Sequence, residues 1–249
     1  MNKKSLIFVC IFTLSLTACK EAMLNGGMNA AGSLIKGLTL SKEQLVAEAR
    51  MSAREMDKKT PVAPSDSKYT KRLQNFTKNM QTYDGIKLNY KVYMVDEVNA
   101  FAMPDGTVRV YSGLMDLMSD DEVLAVLGHE IGHVANEHSL RQYKKAYMAR
   151  AAKEGLSAAD GTVGGIVGAY GDIGEAYLNA QFSQADELES DAYGVKVLHE
   201  MGYDPYAAMR AQEKLQQLGG KESVFSSHPP SQKRIDLARE AADKITGKK

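Results

Sequence analysis

The stretch Ser119-Asp120-Asp121-Glu122-Val123-Leu124-Ala125-Val126-Leu127-Gly128-His129-Glu130-Ile131-Gly132-His133-Val134 decides how this chain is read. It opens with S-x-x-E, a capping box that starts a helix. Asp120, Asp121 and Glu122 place negative charge at that helix's positive end. Val123, Leu124, Val126, Leu127, Ile131 and Val134 then recur at helical spacing and predict a face turned to a core. Inside this helix lies H-E-x-x-H. Positions i and i+4 are about 40° apart around a helix, so both imidazoles leave one face. Two neutral His nitrogens so placed suit one Zn²⁺ at ~2.0–2.1 Å. Glu130, beside the first His, is placed to act on the attacking water as general base. The pattern predicts a zinc peptidase. Gly128 and Gly132 are poor helix formers, which predicts another element packed close to this turn.

Catalytic zinc usually takes three protein ligands, so the two His need a partner. His138 is five residues past His133, about 140° round a continued helix, and is expected to point away and serve a structural or supporting role. The extended pattern H-E-x-x-H-x-x-G-x-x-H would need Gly at 136 and His at 139. Asn136 and Ser139 stand there, which excludes that class. A later acidic helix is the better source. Residues 183–194 contain E-x-x-x-D, from Glu187 to Asp191. One carboxylate could bind the ion while the other, a turn on, orients a His N–H. The residues alone do not choose between Glu187 and its acidic neighbours, and a solvated acidic face is the commoner fate of such a segment.

Several motifs together resemble a known family. H-E-I-G-H at 129–133, E-x-x-x-D at 187–191, and His228-Pro229 followed by Arg234 are similar to the M48 peptidases. Tyr90 to Met118, and the patches Glu55-Met56-Asp57 and Val62-Ala63-Pro64, resemble bacterial lipoprotein members of that family. The resemblance covers roughly residues 40–240. It implies a zincin-like (gluzincin) fold with His129, His133 and Glu187 as zinc ligands and Glu130 as base. It implies that Asp191 supports His129, with Arg234 close by. It gives His228 a place near the metal, either steadying the transition state or capping the ion at rest. It sets Asn99, Ala100, Phe101 and Ala102 on an edge strand beside the cleft, where substrate would lie.

The N-terminus reads as an export signal. Lys3 and Lys4 precede an apolar run, Ser5–Leu16, too short to span a bilayer. Leu16-Thr17-Ala18-Cys19 resembles a lipobox, so residues 1–18 are expected to leave and Cys19 to carry lipid. Lys20 rather than Asp after the cysteine points to the periplasmic face of the outer membrane. The chain has two cysteines, and Cys10 would leave with the signal. The mature domain then has no disulfide, although it would work in an oxidising compartment. Losing Lys3 and Lys4, and no acid, takes the net charge from 0 to −2. Such a balance argues against nucleic acid as a partner.

Residues 19–40 read as a lipidated tether and 41–249 as one peptidase domain. Ser41-x-x-Gln44 opens a helix to about Lys58, stopped by Pro61 and Pro64. Tyr69, Leu73, Phe76 and Met80 recur at helical spacing as core residues. Lys87–Val95 alternates as a strand, and Pro104-Asp105-Gly106 turns a hairpin between 100–103 and 107–111. Asp204-Pro205 starts a helix to about Leu218, and a last helix covers about 230–245. The expected fold is α+β, a small antiparallel sheet on a mostly helical body. The glycine-rich segment 161–174 is a candidate flap over the cleft. The expected partners are unfolded or extended polypeptides, the membrane through the anchor, and envelope assembly machinery. The rival reading is a chaperone-like or binding lipoprotein of the envelope whose zinc site is latched shut.

Overall fold

In a computed structural model, residues 38–142, 181–218 and 228–248 are described, with a few helical positions between 28 and 35 and between 144 and 149. Residues 1–18, Cys19 and segment 161–174 lie outside the described residues. The chain forms two compact units. One comprises Met1–Ser41 and Tyr143–Ala169. Its described residues are mostly helical and expose Met28, Ile35 and Leu38. The other, Lys42–Gln142 with Tyr170–Lys249, holds all the elements that follow.

Helix α1 (Lys42–Lys59) ends just before Pro61, as the prolines require. Helix α2 (Lys68–Thr77) is capped by Ser67, whose hydroxyl accepts the Thr70 N–H at 3.1 Å. Leu73, Phe76 and Met80 are buried, and Tyr69 packs at the core's edge.

The expected strand 87–95 is divided. Strands β1 (Thr82–Tyr83) and β2 (Ile86–Lys87) form a small antiparallel pair, and β3 (Asn89–Tyr93) joins a second sheet with β4 (Ala100–Ala102) and β5 (Thr107–Tyr111). The β4–β5 hairpin turns at Gly106, whose φ is 84°, and a Cβ there would meet the Lys87 carbonyl oxygen at 2.0 Å. The sheet is not wholly antiparallel, contrary to expectation. β3 runs parallel to β5, from Asn89 opposite Thr107 to Tyr93 opposite Tyr111, in the order β3-β5-β4. The reason is the link 94–99. It skips one strand position, so the hairpin brings β5 back into the middle running in the direction of β3. The Gly113 N–H and Ser112 hydroxyl hold this link by donating to the Val95 carbonyl at 3.0 and 2.9 Å.

Helix α3 (Ser112–Leu117) leads into α4 (Asp120–Ala135). The Glu122 carboxylate accepts the Ser119 N–H at 2.9 Å, the reach-back half of the capping box. Val123, Leu124, Leu127 and Ile131 are wholly buried. Helix α5 (Gln184–Glu200) begins at a reciprocal Ser183–Asp186 cap, α6 (Ala207–Gln217) follows, and α7 (Gln232–Thr246) closes at Gly247. Helix α6 starts two residues later than Asp204-Pro205 suggested. The Asp204 carbonyl and carboxylate instead accept the Ala207 and Tyr206 amides, making a turn that precedes the helix.

The glycines of α4 have a packing reason. A Cβ on Gly128 would lie 2.9 Å from Gly194 Cα, and one on Gly132 would lie 3.0 Å from Tyr193 Cβ and 3.1 Å from Ser190 Cα. Helices α4 and α5 therefore touch almost backbone to backbone. No helix among the described residues is long and apolar enough to cross a membrane.

Candidate active site

Helix α4 presents His129 and His133 from one face, ring centroids 4.7 Å apart. Its close contact with α5, lined by Gly128 and Gly132, sets Glu187 and Asp191 against these rings. His228 lies between α6 and α7, and Arg234 is in the first turn of α7, which Ser231 caps by accepting the Arg234 N–H at 3.3 Å. His129, His133, Glu187 and His228 each turn one donor atom into a common space, all within 4.8 Å of one another. Glu130 is buried beside them, its Oε1 3.9 Å from His228 Nε2.

Hydrogen bonds fix which atoms carry protons. His129 Nδ1 is 2.8 Å from Asp191 Oδ1. An ionised carboxylate only accepts, so Nδ1 carries the proton and Nε2 is a bare lone pair. Asp191 is held in turn by Arg234, Nε to Oδ2 and Nη2 to Oδ1, both at 2.7 Å, and by Gln212 Nε2 from α6 at 3.2 Å. Arg234 Nη1 also donates to the His228 and Pro229 carbonyls at 3.0 and 3.2 Å, fixing the chain that carries His228.

Burial pushes the Glu130 carboxyl above its ordinary range, outweighing the nearby His228 and His129. Burial also pushes at Glu187, but the His133 and His228 rings facing it prevail and hold its carboxyl well below the usual range. At Asp191 burial is likewise overcome, by Arg234 and His129. His133 is pushed well down, first by burial. His228 is raised despite burial, because Glu130 and Glu187 face it.

The donor set fits a zinc ion. Tetrahedral bonds of ~2.0–2.1 Å place neighbouring ligand atoms about 3.3 Å apart. His129 Nε2 is 3.1 Å from His133 Nε2 and 3.3 Å from His228 Nδ1. Glu187 Oε1 is 3.3 Å from His133 Nε2, and Oε2 is 3.6 Å from His129 Nε2. Among the described residues, two buried carboxylate oxygens, Glu130 Oε1 and Glu187 Oε2, find no hydrogen-bond partner. Glu187 Oε2 is 2.8 Å from Arg234 Nη1 but makes no aligned bond with it. Bare lone pairs and unbonded carboxylate oxygens converging in a buried space call for a cation.

Peptidase family M48 matches residues 67–242. The chain belongs to peptidase family M48. It is 37% identical over 244 residues to "Metalloprotease LoiP" of Escherichia coli strain K12, covering 96% of this chain and 97% of that one. It is 38% identical over 250 residues to "Metalloprotease YcaL" of the same strain, with the same coverage. A "Beta-barrel assembly-enhancing protease" of Yersinia pestis is 28% identical over 234 residues, but this chain covers 46% of its length. This M48 chain is a metallopeptidase, zinc-dependent like its family, and its substrates are polypeptides.

In this M48 chain Asn99, Ala100, Phe101 and Ala102 are all buried, and β4 is one of the two edge strands of its sheet, packed on α4. His138 does not point away from the site. Helix α4 ends at Ala135, so the 140° extrapolation fails, and His138 Nδ1 comes back to 2.9 Å from His133 Nδ1. Phe182 was not anticipated. Its ring stacks on His133 at 3.9 Å and on His228 at 5.1 Å. Its position just before the Ser183 cap was the one available signal, since an apolar residue often precedes a helix cap. Gln212 carried no signal.

Proposed function

We propose that the chain is a zinc endopeptidase of the bacterial cell envelope that cleaves unfolded or misassembled envelope proteins. His129, His133 and Glu187 hold the ion and Glu130 is the general base. The observation that carries this reading is Glu130 Oε1, buried and without a hydrogen-bond partner among the described residues, beside four converging donor atoms. Bound there, zinc supplies Lewis-acid polarisation of the scissile carbonyl and acidifies the attacking water. Glu130 takes a proton from that water and later delivers it to the leaving amine, a role that its raised proton affinity suits. Asp191, clamped by Arg234, keeps the His129 Nε2 lone pair aimed inward. The peptide runs extended along β4 at Asn99–Ala102, using main-chain hydrogen bonds. Glu130→Gln is expected to keep one zinc per chain and lose casein cleavage by at least about 10²-fold. Retained turnover would sink the assignment.

The envelope setting is supported by the lipobox ending at Cys19 and by relatives named for β-barrel assembly. In this reading residues 1–18 are removed and 19–40 tether the domain 41–249 to the outer membrane. Cys19→Ser should move the protein from the membrane fraction to the soluble one.

A specific observation favours a second reading. His228 Nδ1 already occupies the donor cluster, 2.8 Å from Glu187 Oε1. It therefore stands where a fourth ligand would, consistent with a latched site in a chaperone-like or binding lipoprotein. Casein cleavage that appears only in His228→Ala marks a latched enzyme. No cleavage in either protein at full zinc occupancy marks the binding role.

A further inference from the structure

We infer that His138 is the positioning residue of His133, an imidazole that accepts the His133 Nδ1 proton and is itself held by Glu189. This rests on the reading of His133 as a zinc ligand. The geometry is set by the end of α4. Glu137 adopts φ 56°, turning the chain back after Ala135, and His138 becomes wholly buried against α5. Its Nδ1 lies 2.9 Å from His133 Nδ1, and its Nε2 lies 3.2 Å from Glu189 Oε2 and 3.6 Å from Asp186 Oδ1.

The proton positions follow from the partners. Ionised carboxylates only accept, so His138 Nε2 carries a proton. With His133 Nε2 turned to the donor cluster as a zinc ligand, its Nδ1 holds the ring proton, so in the 2.9 Å contact His133 Nδ1 donates and His138 Nδ1 accepts. His133 Nε2 is left bare, facing His129 Nε2 and Glu187. The chain of bonds thus presents the same ring atom on both His of the motif. The means differ: a carboxylate locked by Arg234 for His129, an imidazole backed by Glu189 for His133. Ser190 Oγ, 3.4 Å from His138 Nδ1, adds a polar neighbour.

The test is zinc affinity, with tautomers read by NMR. His138→Ala should weaken zinc binding by about 10- to 100-fold. His138→Gln, whose amide oxygen can accept the same proton, should recover most of that loss. Affinity unchanged in His138→Ala, or equally weak in both variants, overturns the inference. Should the Ala variant not fold, two-bond ¹H–¹⁵N spectra of the zinc-loaded wild type decide. The expected pattern is protons on His133 Nδ1 and His138 Nε2, with His138 Nδ1 bare. A proton on His138 Nδ1 overturns the inference. His133→Ala is the control: if it keeps full zinc affinity, the ligand reading itself fails, whereas zinc lost there but kept in His138→Ala defeats the positioning role alone.

Discussion

Two arginines in this molecule grip an aspartate in the same way and to different ends. Arg109 of β5 reaches Asp57 of α1 with Nε to Oδ1 at 2.8 Å and Nη2 to Oδ2 at 3.0 Å. Arg234 of α7 reaches Asp191 of α5 with two contacts of 2.7 Å. Both arginines are almost wholly buried. The difference is the third partner. Asp57 also accepts from Tyr93 and Lys91 and ties a helix to the sheet. Asp191 also accepts from His129 and aims a nitrogen at the donor cluster. A buried ion pair is therefore not in itself a mark of function, and what the carboxylate does with its remaining lone pair decides.

The largest effect is expected from Asp191→Ala. It leaves buried Arg234 without its bidentate partner, which should cost up to about 3–5 kcal/mol of folding stability. It should also weaken zinc binding about 10- to 100-fold. Urea unfolding and zinc titration read the two effects, and unchanged zinc affinity would remove the distinction between the pairs.

Asp57→Asn should lower stability without touching zinc affinity. Burial raises the Asp57 carboxyl, but hydrogen bonds from Arg109, Lys91 and Tyr93 outweigh it and lower it from 3.8 to about 2. A depressed carboxyl stabilises the fold above its unfolded pKa and loses that contribution as pH falls through the folded one. With allowance for solvent screening at this partly exposed pair, wild type and variant should differ by about 1–2 kcal/mol near neutrality. That difference should fade between about pH 4 and pH 2. A difference that does not change over that range would show that charge is not the cause.

The smallest effect concerns the contact that brings the site together. Gly132→Ala gains up to ~1 kcal/mol in helix propensity but forces a methyl against Tyr193 and Ser190, a strain of about 1–3 kcal/mol. A net loss of about 1 kcal/mol is expected, with weaker zinc binding as α5 shifts Glu187. A gain in stability at unchanged zinc affinity would show that the helices can separate freely.

Much of the site was legible because its logic is local. The capping box, the 3.6-residue period and the i, i+4 spacing place His129, Glu130 and His133 on one buried helix, and the structure shows them there. The acidic segment was visible, but the residues alone left Glu187 open against its neighbours. The parallel pairing of β3 and β5 was missed because periodicity reports which face a strand buries, not which neighbour it joins. The position of His138 was misread because the angle assumed a continuous helix, whereas α4 ends three residues earlier, at Ala135.

Local chemistry along the chain was enough to specify a capped helix carrying two imidazoles and a carboxyl, since those features depend on backbone geometry within a few residues. Which acid meets them, what holds each ring and where His228 stands were settled by tertiary packing. Those depend on how closely α4 and α5 approach, and on the paths of the chain after Ala135 and before Ser231. Gly128, Gly132 and Gly194 permit the approach, but their purpose is visible only once the second helix is in place.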